Sequence, residues 1–471
     1  MAKDVRRWHG TDCVQPDVCV GNDLVPFCQA CGISAFAVLQ TLTTGESSSV
    51  PQVPADEAPG QHNLFWPPSV RYTTADHVTQ SSHENKNTES RTESIDGEVV
   101  CSAADSIYTE HLSSGQIHLV VLAPSPRDQK GYPIYVSLEL HDDIRCPEYD
   151  AVSYTWGGED NDYTRSSPVF VGDYWDILAQ PKNCVSMLKY LRPKRGLRTI
   201  WIDAVCINQN DSRERTVQVG KMENIYARCS QVWLWLGDDI VCEDLQAPPE
   251  RHWLHEISSK DIQPRYPTTA SCETSADEPT MLVTISMLLK RRYFSRVWVI
   301  QELAVAPRVV IPIGDVLLLA DHVTQQKLQA LTTEDGGWKW DETQAPWLYS
   351  MALGPLDRSE LHEVLRFTSN SKATDIRDKL FGVLGLATST WNTAGQRVPM
   401  WPEYSISKLH MAIGLVAQLM LNSGQTSLFY ASRGLADPLG YQGGQDRTFV
   451  LQDHGNNRDF LRNGRTMVQI T

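Results

Sequence analysis

Four cysteines crowd the first part of the chain: Cys13, Cys19, Cys28 and Cys31. The segment Phe27-Cys-Gln-Ala-Cys-Gly32 has the form of a zinc knuckle, because a CxxC spacing lets two thiolates reach one ion and the glycine permits the tight turn beneath it. Cys13 and Cys19 complete a set of four thiolates for a structural Zn2+, with His9 as a substitute ligand. The plainer alternative is four reduced thiols in a loose tail. A redox role fits less well, since no thioredoxin-like strand-helix context surrounds the CxxC. Further on, two acidic residues stand beside apolar sequence: Asp203 ends the run Thr199-Ile-Trp-Ile202, and Glu302 lies in Trp298-Val-Ile-Gln-Glu-Leu303. No full G-x-G-x-x-G, P-loop, G-x-S-x-G or H-E-x-x-H pattern is present, and Trp156-Gly-Gly158 is too short to count as a dinucleotide fingerprint. The thirteen histidines form no arrangement with a serine or cysteine nucleophile. Asp375 and Asp378 read as a helix cap and a local partner for Arg377 or Lys379 rather than as an acid-base pair.

The elements that must position these residues are most legible between Arg198 and Gly237, which read strand, loop, helix, strand. Thr199 to Ile202 is short, apolar and rich in β-branched and aromatic residues, so Asp203 is expected at the sheet's carboxyl edge. After the polar loop Asn208 to Asp211, Asp211 and Glu214 have the spacing of a capping box, which predicts a helix start. Val219, Met222, Tyr226 and Cys229 then give one apolar face. Val232-Trp-Leu-Trp-Leu236 has no polar alternation, as expected of a strand covered on both faces in a parallel sheet. Upstream, residues 116–122 and 135–140 predict a leading hairpin, 151–154 a core strand, and the Gly172-Asp173 turn a second hairpin. A helix is expected from about Pro181 to Pro193. Downstream, residues 281–292 predict a helix whose basic end, Lys290-Arg-Arg292, suits the helix dipole. A second helix carries Trp298 and Glu302 on one face, and a hairpin turns at Gly314-Asp315.

The chain's 471 residues allow two or three domains, and its net charge of −15 argues against a sequence-independent grip on nucleic acid. Neither a secretory signal nor a transmembrane span is apparent, which together with an odd count of eleven cysteines, seven of them scattered through globular sequence, implies a reduced, cytoplasmic protein. Residues 36–106 are mostly polar and poor in aliphatic side chains, and are expected to form a disordered linker. The organisation read from sequence is a zinc-knuckle segment at 1–35, this linker, an α/β domain at 107–315, a mainly helical extension at 316–431 and an unassigned tail at 432–471.

Three stretches resemble the motifs of fungal heterokaryon incompatibility (HET) domains, in the family's order. Tyr149-Asp-Ala-Val-Ser-Tyr-Thr-Trp-Gly157 is similar to its "Y.ALSYTWG". Residues 198–237 resemble its "IWIDAICINQ" strand and loop with the helix and "VWVWLG"-like strand that follow. Phe294-Ser-Arg-Val-Trp-Val-Ile-Gln-Glu-Leu303 is similar to "W..RVWVIQE". Residues 375–386 and 402–405 resemble segments that often follow such cores. The resemblance implies a doubly wound, mainly parallel, TIR-like or flavodoxin-like sheet with added hairpins, and a regulator of fungal non-self recognition that triggers programmed cell death with protein partners or by self-association. HET domains look like distant relatives of TIR domains, some of which cleave NAD+ with a glutamate in a "W...EL" motif. This implies Glu302 as the catalytic carboxylate, stabilising the oxocarbenium charge that develops when the nicotinamide-ribose bond breaks. Tyr154, Trp156, Gly157, Gly158, Asp203, Asn208, Gln209 and Trp298 would then line an NAD site outside the carboxyl ends of the strands. Two alternatives stand beside it: an ion pair between Glu302 and Arg296 that only locks a helix, and a non-catalytic assembly module.

Overall fold

Apolar runs without polar alternation become the buried middle of a large sheet. The structure, a computed structural model, describes residues 5–42, 53–56, 107–108, 112–126, 129, 131–241, 253–254, 261–262, 283–314, 316–320, 343–348, 361–387, 402–412 and 414–415. Most of the expected linker and all of the 432–471 tail therefore lie outside the described residues. The strands are β1 (Val5–Arg6), β2 (Val18–Val20), β3 (Pro26–Cys28), β4 (Gln116–Leu122), β5 (Tyr135–Asp142), β6 (Asp150–Tyr154), β7 (Arg165–Val171) and β8 (Asp176–Pro181). They continue with β9 (Arg198–Trp201), β10 (Val232–Trp235), β11 (Trp253–Leu254), β12 (Asp261–Ile262), β13 (Val283–Thr284), β14 (Val309–Ile313) and β15 (Val316–Ala320).

Eleven of these form one mixed sheet in the order β1-β8-β7-β5-β4-β9-β6-β10-β14-β15-β11. Its centre is parallel: β6 pairs with β9 on one side and β10 on the other, and β10 pairs with β14. Across the sheet these four strands run second, first, third, fourth in chain order. All four residues of β10 are buried, as the unbroken apolar run Val232 to Trp235 requires of an interior parallel strand. The expected hairpins flank this centre: β4 with β5, β7 with β8, and β14 with β15, all antiparallel. Gly172 and Gly314 turn two of them at φ +69° and +55°, a region that glycine enters without Cβ strain. The fold is α/β.

The helices are α1 (Phe36–Leu42), α2 (Lys182–Leu191), α3 (Asp203–Cys206), α4 (Ser212–Val219), α5 (Met222–Arg228), α6 (Ile285–Leu289) and α7 (Val297–Ala304). The single helix expected after Asp211 is two, divided at Gly220 and Lys221. Gly220 caps α4, while the Lys221 ammonium is drawn away to the Gln116 carbonyl at 3.1 Å and to Asp143 at 2.9 Å. The helix expected over 281–292 is shorter, because Arg291 leaves the helical path to form a bidentate pair with Asp239 at 2.6 and 2.8 Å. Among the described residues, no helix is long and apolar enough to cross a membrane.

Two segments dock on this core. The N-terminal segment adds β1 to β8 and packs Trp8, Cys28, Ala35 and Leu42 against Phe170, Ile177 and Ala179. Helix α1 thus occupies the start of the stretch expected to be linker. At the other end, helix Asp378–Phe381 lies beside α7, the turn Leu384–Leu386 beside α5 and α7, and helix Leu361–Thr368 packs on both of these segments. Residue 372 bridges to Arg296, and its carbonyl accepts the Val297 N–H at 3.0 Å, satisfying one orphan donor at the start of α7.

Candidate functional site

Helix α7 brings Glu302 against the carboxyl end of β6. Ser153 of β6 hydrogen-bonds both the Tyr293 hydroxyl and the Glu302 carboxylate. A serine has one proton to give, so Ser153 donating to Glu302 receives the Tyr293 O–H, and the three form a chain. Glu302 is only 4% exposed. Burial pushes its carboxyl up from 4.5 to about 7, against the opposing pull of Arg296 and the Ser153 hydrogen bond and with a further push from Asp203.

Asp203 reaches the same place from the other side, at the first position of α3 just beyond β9. Its Oδ2 accepts the Trp156 indole N–H at 2.9 Å and its Oδ1 accepts the Ala204 N–H at 2.7 Å. Burial raises its pKa, while Arg296 lowers it. The Arg296 guanidinium, which acts on both carboxylates, donates to the Tyr154 carbonyl at 2.5 Å. Two buried carboxyls thus lie where β6 and β9 end, within the electrostatic reach of Arg296.

Of the residues singled out from sequence, Glu302, Asp203, Tyr154 and Trp156 belong to this cluster, and Gln209 supports it by donating to the Asp203 carbonyl at 2.8 Å. Asn208 is spent on its own loop: its N–H donates to Glu214 Oε1 at 2.8 Å and its side chain accepts the Asn210 N–H at 3.2 Å. Gly157 and Gly158 shape a tight turn. A Cβ on Gly157 would lie 3.0 Å from the Tyr163 ring, and Gly158 has φ +57° with Asn183 packed 3.5 Å from its Cβ position. That space is taken by side chains. Trp298 turns toward the C-terminal extension, where it packs on Gly382 beside the buried Asp378 carboxyl. Ser153 and Tyr293 were not foreseen. The available signal was Ser153 itself, a polar residue inside the apolar stretch 151–154 that therefore needs a partner inside.

A second constellation lies in the N-terminal segment. His9, Cys13, Cys28 and Cys31 hold their ligand atoms within 4.8 Å of one another. Cys19 is not among them: its sulfur faces the Phe27 carbonyl and the Gln29 amide. The strand pairing of β2 with β3 sets Cys19 opposite Phe27, outside the turn that gathers the other three thiols, and His9 supplies the fourth donor instead.

The family model described as "Heterokaryon incompatibility protein (HET)" matches residues 149–302, the stretch that carries Ser153, Asp203, Arg296 and Glu302. The chain is 26% identical to the Neurospora crassa protein "Heterokaryon incompatibility protein 6, OR allele", over 41% of this chain and 34% of that protein. It therefore spans about a third of the length of the curated relative that it matches. No solved structure matches it. The three motif stretches, the family match and this relative agree, and residues 149–302 are the part of the chain that is similar to a HET domain.

Proposed function

We propose that the protein, like a relative named for heterokaryon incompatibility, acts in fungal non-self recognition, and that its HET domain signals cell death by cleaving the nicotinamide-ribose bond of NAD+. The observation that carries this reading is the placing of two buried carboxyls at the carboxyl ends of β6 and β9, Glu302 on Ser153 and Asp203 on the Trp156 indole. The central strand order, second-first-third-fourth, supports the flavodoxin-like likeness, and such sheets bind ligands at this end, where the order reverses. Glu302 would stabilise the oxocarbenium charge developing on the ribose. A cationic nicotinamide beside it would favour the ionised carboxylate that the reaction needs.

One observation favours the alternative, a non-catalytic module that signals by self-association. The Glu302 carboxylate is buried and already engaged by Ser153, and the Trp156 indole N–H is held by Asp203. The two readings part on a single assay: the purified full chain is incubated with NAD+ and nicotinamide is measured. Catalysis predicts release that falls about a hundredfold to a thousandfold in Glu302→Gln, a loss of roughly 3 to 4 kcal/mol of transition-state stabilisation, with the fold intact. No release by either leaves the assembly module in its place, and equal release by both overturns Glu302 as the catalytic carboxylate.

A further inference from the structure

We propose that His9, Cys13, Cys28 and Cys31 bind one Zn2+ in a closed structural site, and that this ion holds the N-terminal segment against the β7/β8 hairpin of the HET domain. The inference is independent of any catalytic activity. Its first support is distance. A tetrahedral zinc with ordinary Zn–S and Zn–N bonds sets its sulfurs about 3.8 Å apart and each sulfur about 3.6 Å from the imidazole nitrogen. Here Cys13 Sγ and Cys28 Sγ are 3.9 Å apart, and His9 Nδ1 is 3.7 Å from the sulfurs of both Cys13 and Cys31. Thiols that merely share a core have no reason to converge around an imidazole nitrogen in this way. All four cysteines of the segment are free.

The second support is the orientation of the imidazole. His9 Nε2 lies 2.7 Å from the Tyr174 carbonyl, an acceptor only, so Nε2 carries the proton and Nδ1 turns its lone pair to the three sulfurs. A backbone carbonyl fixing the tautomer of a ligating histidine is the usual outer shell of a zinc site. In this chain that carbonyl belongs to the turn between β7 and β8, so the fourth ligand is set by the domain rather than by the knuckle. Three thiolates and one imidazole in a tetrahedron suit zinc and leave no open position for chemistry.

The third support is size. The N-terminal segment buries few large side chains, chiefly Trp8 and Leu42, and a core so small rarely holds without a staple. Its other ties to the domain flank the cluster: Arg7 makes a bidentate pair with Asp176 at 3.0 Å for both bonds, and the Trp8 indole donates to the Trp175 carbonyl at 2.8 Å. The ion would join the knuckle to His9, and His9 joins β1 to the hairpin.

The test uses the full chain. Metal analysis and native mass spectrometry after Zn2+ reconstitution should give one zinc per chain in wild type and in Cys19→Ser, with near-complete loss in Cys13→Ser and Cys31→Ser. Co2+ in place of Zn2+ should give the visible bands of a tetrahedral ion and thiolate-to-cobalt charge transfer. Chelation of wild type should then raise hydrogen exchange at Val5–Arg6 and at their partners Ile177 and Leu178, while β6 and β10 stay protected. Wild type that takes up no zinc, or carries a Cys28–Cys31 disulfide after purification under reducing conditions, overturns the site. Cys19→Ser losing zinc as fully as Cys31→Ser overturns the ligand set. Unchanged exchange in β1 after complete zinc removal overturns the docking role.

Discussion

At the scale of single residues, the state of Glu302 separates a carboxyl kept in reserve from one locked in an ion pair. An ion pair would hold its pKa below the usual range, yet burial holds it up, at about 7 against 4.5. The native protein then keeps a proton that the unfolded chain releases, so its stability falls as pH rises from about 4.5 to 7 and stays reduced above that window. Below the window both states are protonated and the effect vanishes. Glu302→Gln removes the titration. Urea unfolding of both proteins should show the variant gaining on wild type between pH 5 and pH 8, by on the order of 3 kcal/mol for a shift of this size. A variant that instead loses ground at pH 8 would identify Glu302 as an ionised salt-bridge partner, the structural alternative to the reading proposed here.

At the scale of elements, the Asp211/Glu214 pair shows how far spacing alone reaches. Asp211 Oδ1 accepts the N–H groups of Arg213 at 2.8 Å and Glu214 at 3.1 Å, so it caps α4. Glu214 reaches back to the Asn208 N–H rather than to that of Asp211. Cap and loop are thereby one unit, which through Gln209 also grips the Asp203 carbonyl. Asp211→Ala is expected to cost about 1 kcal/mol, as a lost N-cap does. Glu214→Ala should cost about 1 to 3 kcal/mol by stranding the Asn208 N–H, and the double variant less than the sum. Denaturant midpoints of the three variants check this, and strict additivity would show that loop and cap act separately. Strands β6, β9, β10 and the flanking hairpins were legible because each carries its own apolar run and turn residue. The break at Gly220 was not, since it depends on where Lys221 finds its partners across the sheet. Nor was β1, whose two residues have no period and become a strand only because β8 offers an edge. The site was half legible for the same reason. Asp203 and Glu302 stand out against apolar neighbours, but their meeting, and the diversion of Trp298 to Asp378, belong to packing between segments distant in the chain.

At the scale of the molecule, the unit that must fold together extends past the residues that the family model matches. Gly385 lies against α5 and α7, where a Cβ would come within 2.7 Å of Glu223 Cβ, and the Lys372 carbonyl caps the helix that carries Glu302. Tyr404 joins this extension to α4: its ring lies under the Arg215 guanidinium at 4.3 Å and its hydroxyl donates to Asp378 at 2.7 Å. Sequence spacing had Asp375 capping a helix and Asp378 meeting Arg377 or Lys379. Instead Arg377 pairs with Asp375, Lys379 reaches the Ser369 carbonyl, and burial lifts Asp378 to about 6. Arg377 is 1% exposed; it pairs with Asp375 at 2.6 Å and donates to the Tyr404 and Ile406 carbonyls, each at 2.8 Å. Arg377→Ala would leave a buried carboxylate without its counter-charge and two carbonyls without a donor, an expected cost of roughly 3 to 5 kcal/mol. Arg377→Lys should rescue little, because one ammonium cannot reproduce a fork that serves three acceptors. If the extension and the α/β core are one cooperative unit, thermal unfolding of Arg377→Ala followed by circular dichroism should remain a single transition at lower temperature. A separate early transition that leaves α7 protected from hydrogen exchange would show instead that the extension folds as an appendage, and that the cap at Val297 is not needed to hold Glu302 in place.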